Sequence, residues 1–219
     1  MPLSTFLPYK VIRGHFLFSY FKDLPGKRFT FLRDPIERVL SAERYSKTGR
    51  NTNMSVTHLF PPGPPINVLQ NNQCKYLSSL NIYDPNISDE EHLKSAKYNL
   101  EHHFFFVGIT EDLDKGIPIL CSLLGFDIPF EVPKLNTTTT PEEGYPEELI
   151  QEIKERNLAD IELYKFAKKL YERTYKRQSA VNTVTPRSRI SRDCAADRCR
   201  RLFSWHSSKQ KAGKRQRQG

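Results

Sequence analysis

The chain has 219 residues, 37% hydrophobic and 27% charged, enough for one core of ordinary size and a tail. Its formal net charge is +9, but residues 177–219 hold twelve Lys and Arg against two Asp, which leaves residues 1–176 at −1. A neutral body excludes a general nucleic-acid-binding surface there, and without a long apolar run no segment reads as a membrane span.

In chain order, "MPLSTFLPYKVIRGH" lacks the length and cleavage pattern of a signal peptide. Val11-Ile12, Gly14-His15 and the apolar stretch Phe16 to Phe21 read as strand, loop and short helix before the Leu24-Pro25-Gly26 turn. Phe29, Phe31 and Leu32 then give a short β-favouring run. Asp34-Pro35-Ile36-Glu37 follows at once as an N-cap aspartate, a proline at N1 and a reciprocating glutamate at N3. A strand that feeds a capped helix directs free N–H groups and a positive dipole end at one point, where an anion is favoured. Arg33 adds a planar fork suited to phosphate oxygens, and Ser41, about two turns along, adds a hydroxyl. The alternative is that Arg33 pairs with Glu37 or another carboxylate while Ser41 faces solvent.

Gly49 to Pro65, rich in Asn, Thr, Gly and Pro, reads as a loop, and "NNQCKYLSSL" opens a helix. In "SDEEHLKSAKYNLEH" Ser88 is an N-cap, Glu91 its partner, and Leu93, Ala96 and Leu100 one buried face, with His92 on the helix surface. Phe104 to Val107 is an uninterrupted apolar run of the parallel-strand type. Thr110 caps a helix that Pro118 should kink and Gly125 ends. Helices are predicted from Pro146 to about Asn157 and from Ala159 to about Arg173, the second burying Ile161, Tyr164, Ala167 or Lys168, and Tyr171. Strands alternating with helices make an α/β protein with a mainly parallel sheet.

Residues 177–219 read as a basic disordered tail. Cys194, Cys199 and His206 fit no zinc spacing, and Cys74 and Cys121 read as small core residues. The sequons at Asn53, Asn86 and Asn136 carry little weight. His102 and His103, beside a buried strand, read as structural.

Five stretches taken together, "FTFLRDPIERVLSAERY", "NNQCKYL", "LKSAKYNLEHHFFFVGITEDL", "KLNTTTT" and "IKERNLADIELYKFAKKLYERTY", resemble in this order the carbohydrate sulfotransferases of the heparan sulfate 6-O- and 2-O-sulfotransferase kind. The likeness runs from about Val11 to Lys176 and is closer to the 6-O branch in its second half. It implies the P-loop-NTPase-like sulfotransferase fold, with the co-substrate 3′-phosphoadenosine 5′-phosphosulfate, a glycan acceptor and no metal. Arg33 and Ser41 match the family's 3′-phosphate ligands, Asn136, Thr137 and Thr138 its nucleotide-contacting loop, and His15 its general base. Imidazoles titrate near neutrality, which suits one to take a proton from an attacking hydroxyl. Tyr45, Gln73 and Lys75 match positions on the acceptor side, Tyr45 standing where the 6-O enzymes carry a histidine.

The family also needs a lysine- and Ser/Thr-bearing loop after its first strand to hold the 5′-phosphosulfate. "MPLSTFLPYK" contains none, and Pro25-Gly26-Lys27 comes too late. The expectation is therefore a sulfotransferase domain over residues 1–176, incomplete at its N-terminus: part of an enzyme, or a catalytically impaired nucleotide- or glycan-binding relic. The resemblance would place a eukaryotic member in the Golgi lumen or membrane and a bacterial one in the cytoplasm. Nucleic-acid binding through the tail is a third reading; it predicts steeply salt-dependent binding that disappears with residues 177–219, and no specific nucleic acid is expected.

Overall fold

The computed structural model describes residues 14–45, 70–125 and 144–184. A short helix α1 (Phe18–Phe21) precedes strand β1 (Phe29–Leu32) and helix α2 (Pro35–Tyr45). Helices α3 (Asn72–Leu77) and α4 (Asp89–His102) lead to strand β2 (Phe106–Ile109), a 3-10 turn (Thr110–Asp112) and helix α5 (Leu113–Leu124). Helices α6 (Glu147–Arg156) and α7 (Leu158–Val184) follow. Among the described residues the sheet is β1 and β2 alone, paired in parallel with Phe29 opposite Phe106 and Leu32 opposite Ile109. The chain is thus α/β, mostly helical, with a small parallel sheet flanked by helices. Parallel neighbours need a crossover, which α2, α3 and α4 supply.

Every residue of β2 is buried, as expected of a parallel strand covered on both faces. It begins two residues later than the apolar run suggests, because pairing starts opposite Phe29 and leaves Phe105 exposed under the Lys27 ammonium. Leu32, Leu100, Phe106, Leu120, Leu163 and Ala167 form the core, and the Tyr171 ring meets that of Phe106 edge-on. Gly108 lies opposite Phe31, whose ring covers it and also reaches Gly116 of α5. A Cβ on residue 108 would clash with the edge of that ring, at Phe31 Cε1 and Cδ1. Gly108→Ala is therefore expected to lower stability by about 1–3 kcal/mol through overpacking, read as a lower urea midpoint at unchanged m-value; an unmoved midpoint would show that Phe31 can step aside.

Ser88 and Glu91 form the expected capping box, and Gly125 ends α5 in the left-handed region at φ 74. Pro118 sits inside α5, which continues past it to Leu124. The buried face of α4 is His92, Ala96, Asn99 and Leu100, so His92 is not on the helix surface. Asn99 draws that face inward: its amide donates to the Leu77 carbonyl (2.7 Å) at the end of α3. Burial lowers the pKa of His92, with Lys75 adding to the effect.

On α7 the stripe that packs inward is Ala159, Asp160, Leu163, Ala167 and Tyr171, while Lys168 is exposed with its ammonium over the Tyr164 ring. The helix continues to Val184, eleven residues beyond the expected end at Arg173. Cys74 and Cys121 are buried thiols. Among the described residues no helix is long and apolar enough to cross a membrane.

Candidate functional site

The join of β1 and α2 is built as a capped corner. Asp34 Oδ1 accepts from the Ile36 and Glu37 amides at 3.0 and 3.1 Å, and Pro35 occupies N1, where its missing N–H costs nothing. The reciprocal half of the box differs from the sequence expectation. The Asp34 N–H donates to Glu111 Oε1 (3.0 Å), from the turn after β2, and not to Glu37. Glu111 Oε2 in turn accepts from the Tyr164 hydroxyl (2.9 Å) of α7. One carboxylate thus ties together the corners that follow both strands and the long helix. Burial, reinforced by Glu111, raises the pKa of the Tyr164 phenol and keeps it a donor.

Glu37, released from capping, turns along α2. Its Oε2 lies 3.3 Å from Arg44 Nη2 and 3.8 Å from Arg33 Nη2. Glu37, Ser41 and Arg44 follow one face of the helix, and Arg33 stands at its head. Ser41 is half-buried, and the Arg33 side chain is 34% exposed.

Arg33 is held from behind. Its N–H donates to Gln73 Oε1 (3.0 Å), and its carbonyl accepts from Gln73 Nε2 (2.9 Å). Gln73 is buried, and this two-bond clamp fixes the Arg33 main chain without engaging the partly exposed guanidinium. Helix α3, which carries Gln73, is anchored by α7. The Asp160 carboxylate accepts from the Gln73 and Cys74 amides (3.0 and 2.8 Å), so it serves as the N-cap that α3 lacks in its own sequence.

Asn71 Oδ1 accepts from the Asp160 N–H (3.0 Å), and Asn157 Oδ1 accepts from the Asn71 N–H (3.0 Å). Each helix therefore caps the other. Asn71 does this from the left-handed region at φ 48, which asparagine tolerates better than most residues. Burial raises the pKa of the Asp160 carboxyl against the opposing pull of the Cys74 and Gln73 amides and of Arg38. Arg38, on α2, has its pKa lowered by burial and supported by Asp160.

Other residues singled out in the sequence are placed as follows. His15 is exposed in a bend before α1. Lys75 donates to the Gln70 carbonyl (3.0 Å) and pairs with Asp89 (3.3 Å), fastening α3 to the start of α4. Tyr45 ends α2, its side chain outside the described residues, as are Asn136, Thr137 and Thr138. Glu111 and Asp160 were not anticipated as parts of the corner. Asp160 did carry a signal, since Asn157 and Asp160 have the N-cap and N3 spacing of a helix start.

A shallow groove of about 430 Å³ between α4 and α7, lined by Lys97, Lys165, Phe166, Lys169 and Glu162 among others, shares no residue with the corner. Lys165 and Glu162 pair across 2.7 Å there, as on a solvated helix face. Among the described residues no group of three or more His, Cys, Asp and Glu side chains is arranged to hold a metal ion.

The strand-to-helix corner sets a guanidinium beside a capped helix N-terminus, and comparison with known proteins gives the chain a family. The profile of the sulfotransferase family matches residues 14–167, and the chain belongs to that family. It is similar to heparan-sulfate 6-O-sulfotransferase 2 of Homo sapiens, 28% identical over 188 residues that cover 69% of this chain and 31% of the relative. The Mus musculus protein of the same name is 28% identical over 188 residues, covering 69% and 30%. That of Gallus gallus is 27% identical over 187 residues, covering 69% and 46%. The chain thus spans less than half the length of these curated relatives.

Proposed function

We propose that this chain carries the 3′-phosphate half of a nucleotide site on a P-loop-NTPase-like sulfotransferase fold. In this reading the protein transfers a sulfuryl group from 3′-phosphoadenosine 5′-phosphosulfate to a hydroxyl of a heparan-sulfate-like glycan. One observation carries it: within a chain of this family, Gln73 fastens the Arg33 main chain on both sides at the end of β1, and the partly exposed guanidinium stands at the head of the helix that bears Ser41. A dianionic phosphate calls for charge and several donors, and the guanidinium, the hydroxyl and the helix terminus offer them together.

The remaining assignments belong to the same proposal. Asn136, Thr137 and Thr138 contact the nucleotide, and Tyr45 and Lys75 serve the acceptor, toward which Gln73 acts only through the Arg33 main chain it clamps. His15 takes the proton of the acceptor hydroxyl as its oxygen attacks sulfur, and the S–O bond to the 5′-phosphate breaks, releasing adenosine 3′,5′-bisphosphate. Catalysis then rests on positioning and on electrostatic stabilisation of the leaving phosphate. These residues belong to the body over residues 1–176, and α7 carries on from it into the basic stretch 177–219 as far as Val184.

The test is calorimetric titration with adenosine 3′,5′-bisphosphate and with adenosine 5′-monophosphate. Loss of the 3′-phosphate is expected to weaken binding by about tenfold or more, the value of one charge-assisted contact. Equal affinity for the two nucleotides would remove the corner from the site.

A further inference from the structure

We propose that Arg44 is a second guanidinium of the corner's anion site and that Glu37 is a built-in competitor, its carboxylate filling the place between Arg33 and Arg44 that a phosphate takes on binding. The inference rests on the reading of the corner as a phosphate site and adds to it a residue and a mechanism of occupancy.

Two independent observations converge. The first is the position of Glu37. An aspartate N-cap followed by a glutamate at N3 ordinarily closes a capping box. Here Glu111 has taken the Asp34 N–H, and a single Glu37 oxygen instead faces both guanidiniums, 3.3 Å from Arg44 Nη2 and 3.8 Å from Arg33 Nη2. Ser41 lies on the same face of α2 between Glu37 and Arg44, so the four side chains form one run of donor, acceptor, donor, donor.

The second observation is the state of Arg44. Its side chain is only 10% exposed, and its Nε, buried, has no hydrogen-bond partner among the described residues. A buried guanidinium nitrogen without an acceptor is a cost that native structures seldom retain without reason. Glu37, with one charge and a half-exposed side chain (51%), leaves that donor unmet. A phosphate brings up to two charges and three terminal oxygens, enough to face both arginines and the serine hydroxyl. Because Glu37 is half exposed, it can turn into solvent when the anion arrives, and both guanidiniums exchange a monoanion for a dianion.

Glu37 therefore gathers the arginines in the empty site and weakens the filled one. Removing its charge tightens binding; removing Arg44 loosens it. The experiment is titration of the full chain and of Glu37→Gln, Arg44→Ala, Arg44→Lys and Arg33→Ala with adenosine 3′,5′-bisphosphate, alongside thermal unfolding of each. Glu37→Gln should bind about three- to tenfold more tightly, since a repelling carboxylate near the phosphate is gone. Arg44→Ala should bind about tenfold more weakly, with Arg44→Lys between it and the wild type because a lysine keeps charge but not the fork.

Unchanged or weaker binding by Glu37→Gln overturns the inference, as does wild-type affinity in both Arg44 variants. Glu37→Gln is a conservative change at an exposed position and keeps the test open even if Arg44→Ala unfolds. Should Arg33→Ala bind like the wild type, or the wild type not bind at all, the corner reading itself fails and takes this inference with it. Weakening by Arg33→Ala with no response at Glu37 or Arg44 sinks the inference alone.

Discussion

Arg33→Ala is expected to weaken adenosine 3′,5′-bisphosphate about 10- to 100-fold while moving the thermal midpoint by no more than about two degrees. The two halves of that expectation have separate causes. A hydrogen bond to a charged group contributes about 1.5–3 kcal/mol, and each 1.4 kcal/mol is about tenfold in affinity. Stability changes little because the side chain pairs with Glu37 at 3.8 Å, with both groups a third or more exposed. Such surface pairs typically contribute about 0–1 kcal/mol. The contacts that anchor this segment, those with Gln73, are made by the Arg33 main chain and survive truncation of the side chain. Isothermal titration and a melting curve on the same samples decide the matter. A large fall in midpoint together with lost binding would mean that Arg33 is structural, whereas retained binding would move the phosphate elsewhere.

Local chemistry makes the corner legible in the sequence alone. Asp34 caps α2 and Ser88 caps α4 because a cap is decided within four residues, and both were placed from sequence. The contacts that turn the corner into a site span the chain. Gln73 lies 40 residues from Arg33, Glu111 lies 77 from Asp34, and Asp160 lies 87 from Gln73. No periodicity encodes such pairings.

Glu37 shows how a sound local rule can lose to a distant one. Its spacing fits a capping box, but Glu111, held by Tyr164, takes the Asp34 N–H. His92 fails for a related reason: residue type argued for the surface, yet the docking of α3 on α4 through Asn99 turned that face inward. The sheet was legible as parallel from the apolar β2 run, but its register was not, because Gly108 had to stand opposite Phe31.

Asp160→Ala is expected to be the most destabilising of the changes considered, by about 2–5 kcal/mol, since two buried amides each lose their acceptor at about 1–3 kcal/mol. The amides of Gln73 and Cys74 lose their acceptor at once, and Arg38 on α2 loses a nearby negative charge that supports its own. Arg38 Nη1 already has no hydrogen-bond partner among the described residues, so it has little reserve. Asp160→Asn should rescue only part of the loss. An asparagine keeps one acceptor oxygen, but its NH₂ must then face one of the two donating amides, and it brings no charge to Arg38.

The consequence reaches the β1–α2 corner, because Asp160 holds the first turn of α3, that turn holds Gln73, and Gln73 holds the Arg33 main chain. Asp160→Asn should therefore lower the urea midpoint and also loosen nucleotide binding while Arg33 and Ser41 remain intact. Arg33→Ala should do only the second. A Asp160→Asn protein with the wild-type midpoint would show that the α3–α7 junction does not need the charge. Wild-type affinity in a destabilised but folded Asp160→Asn protein would show instead that the Gln73 clamp stands without it.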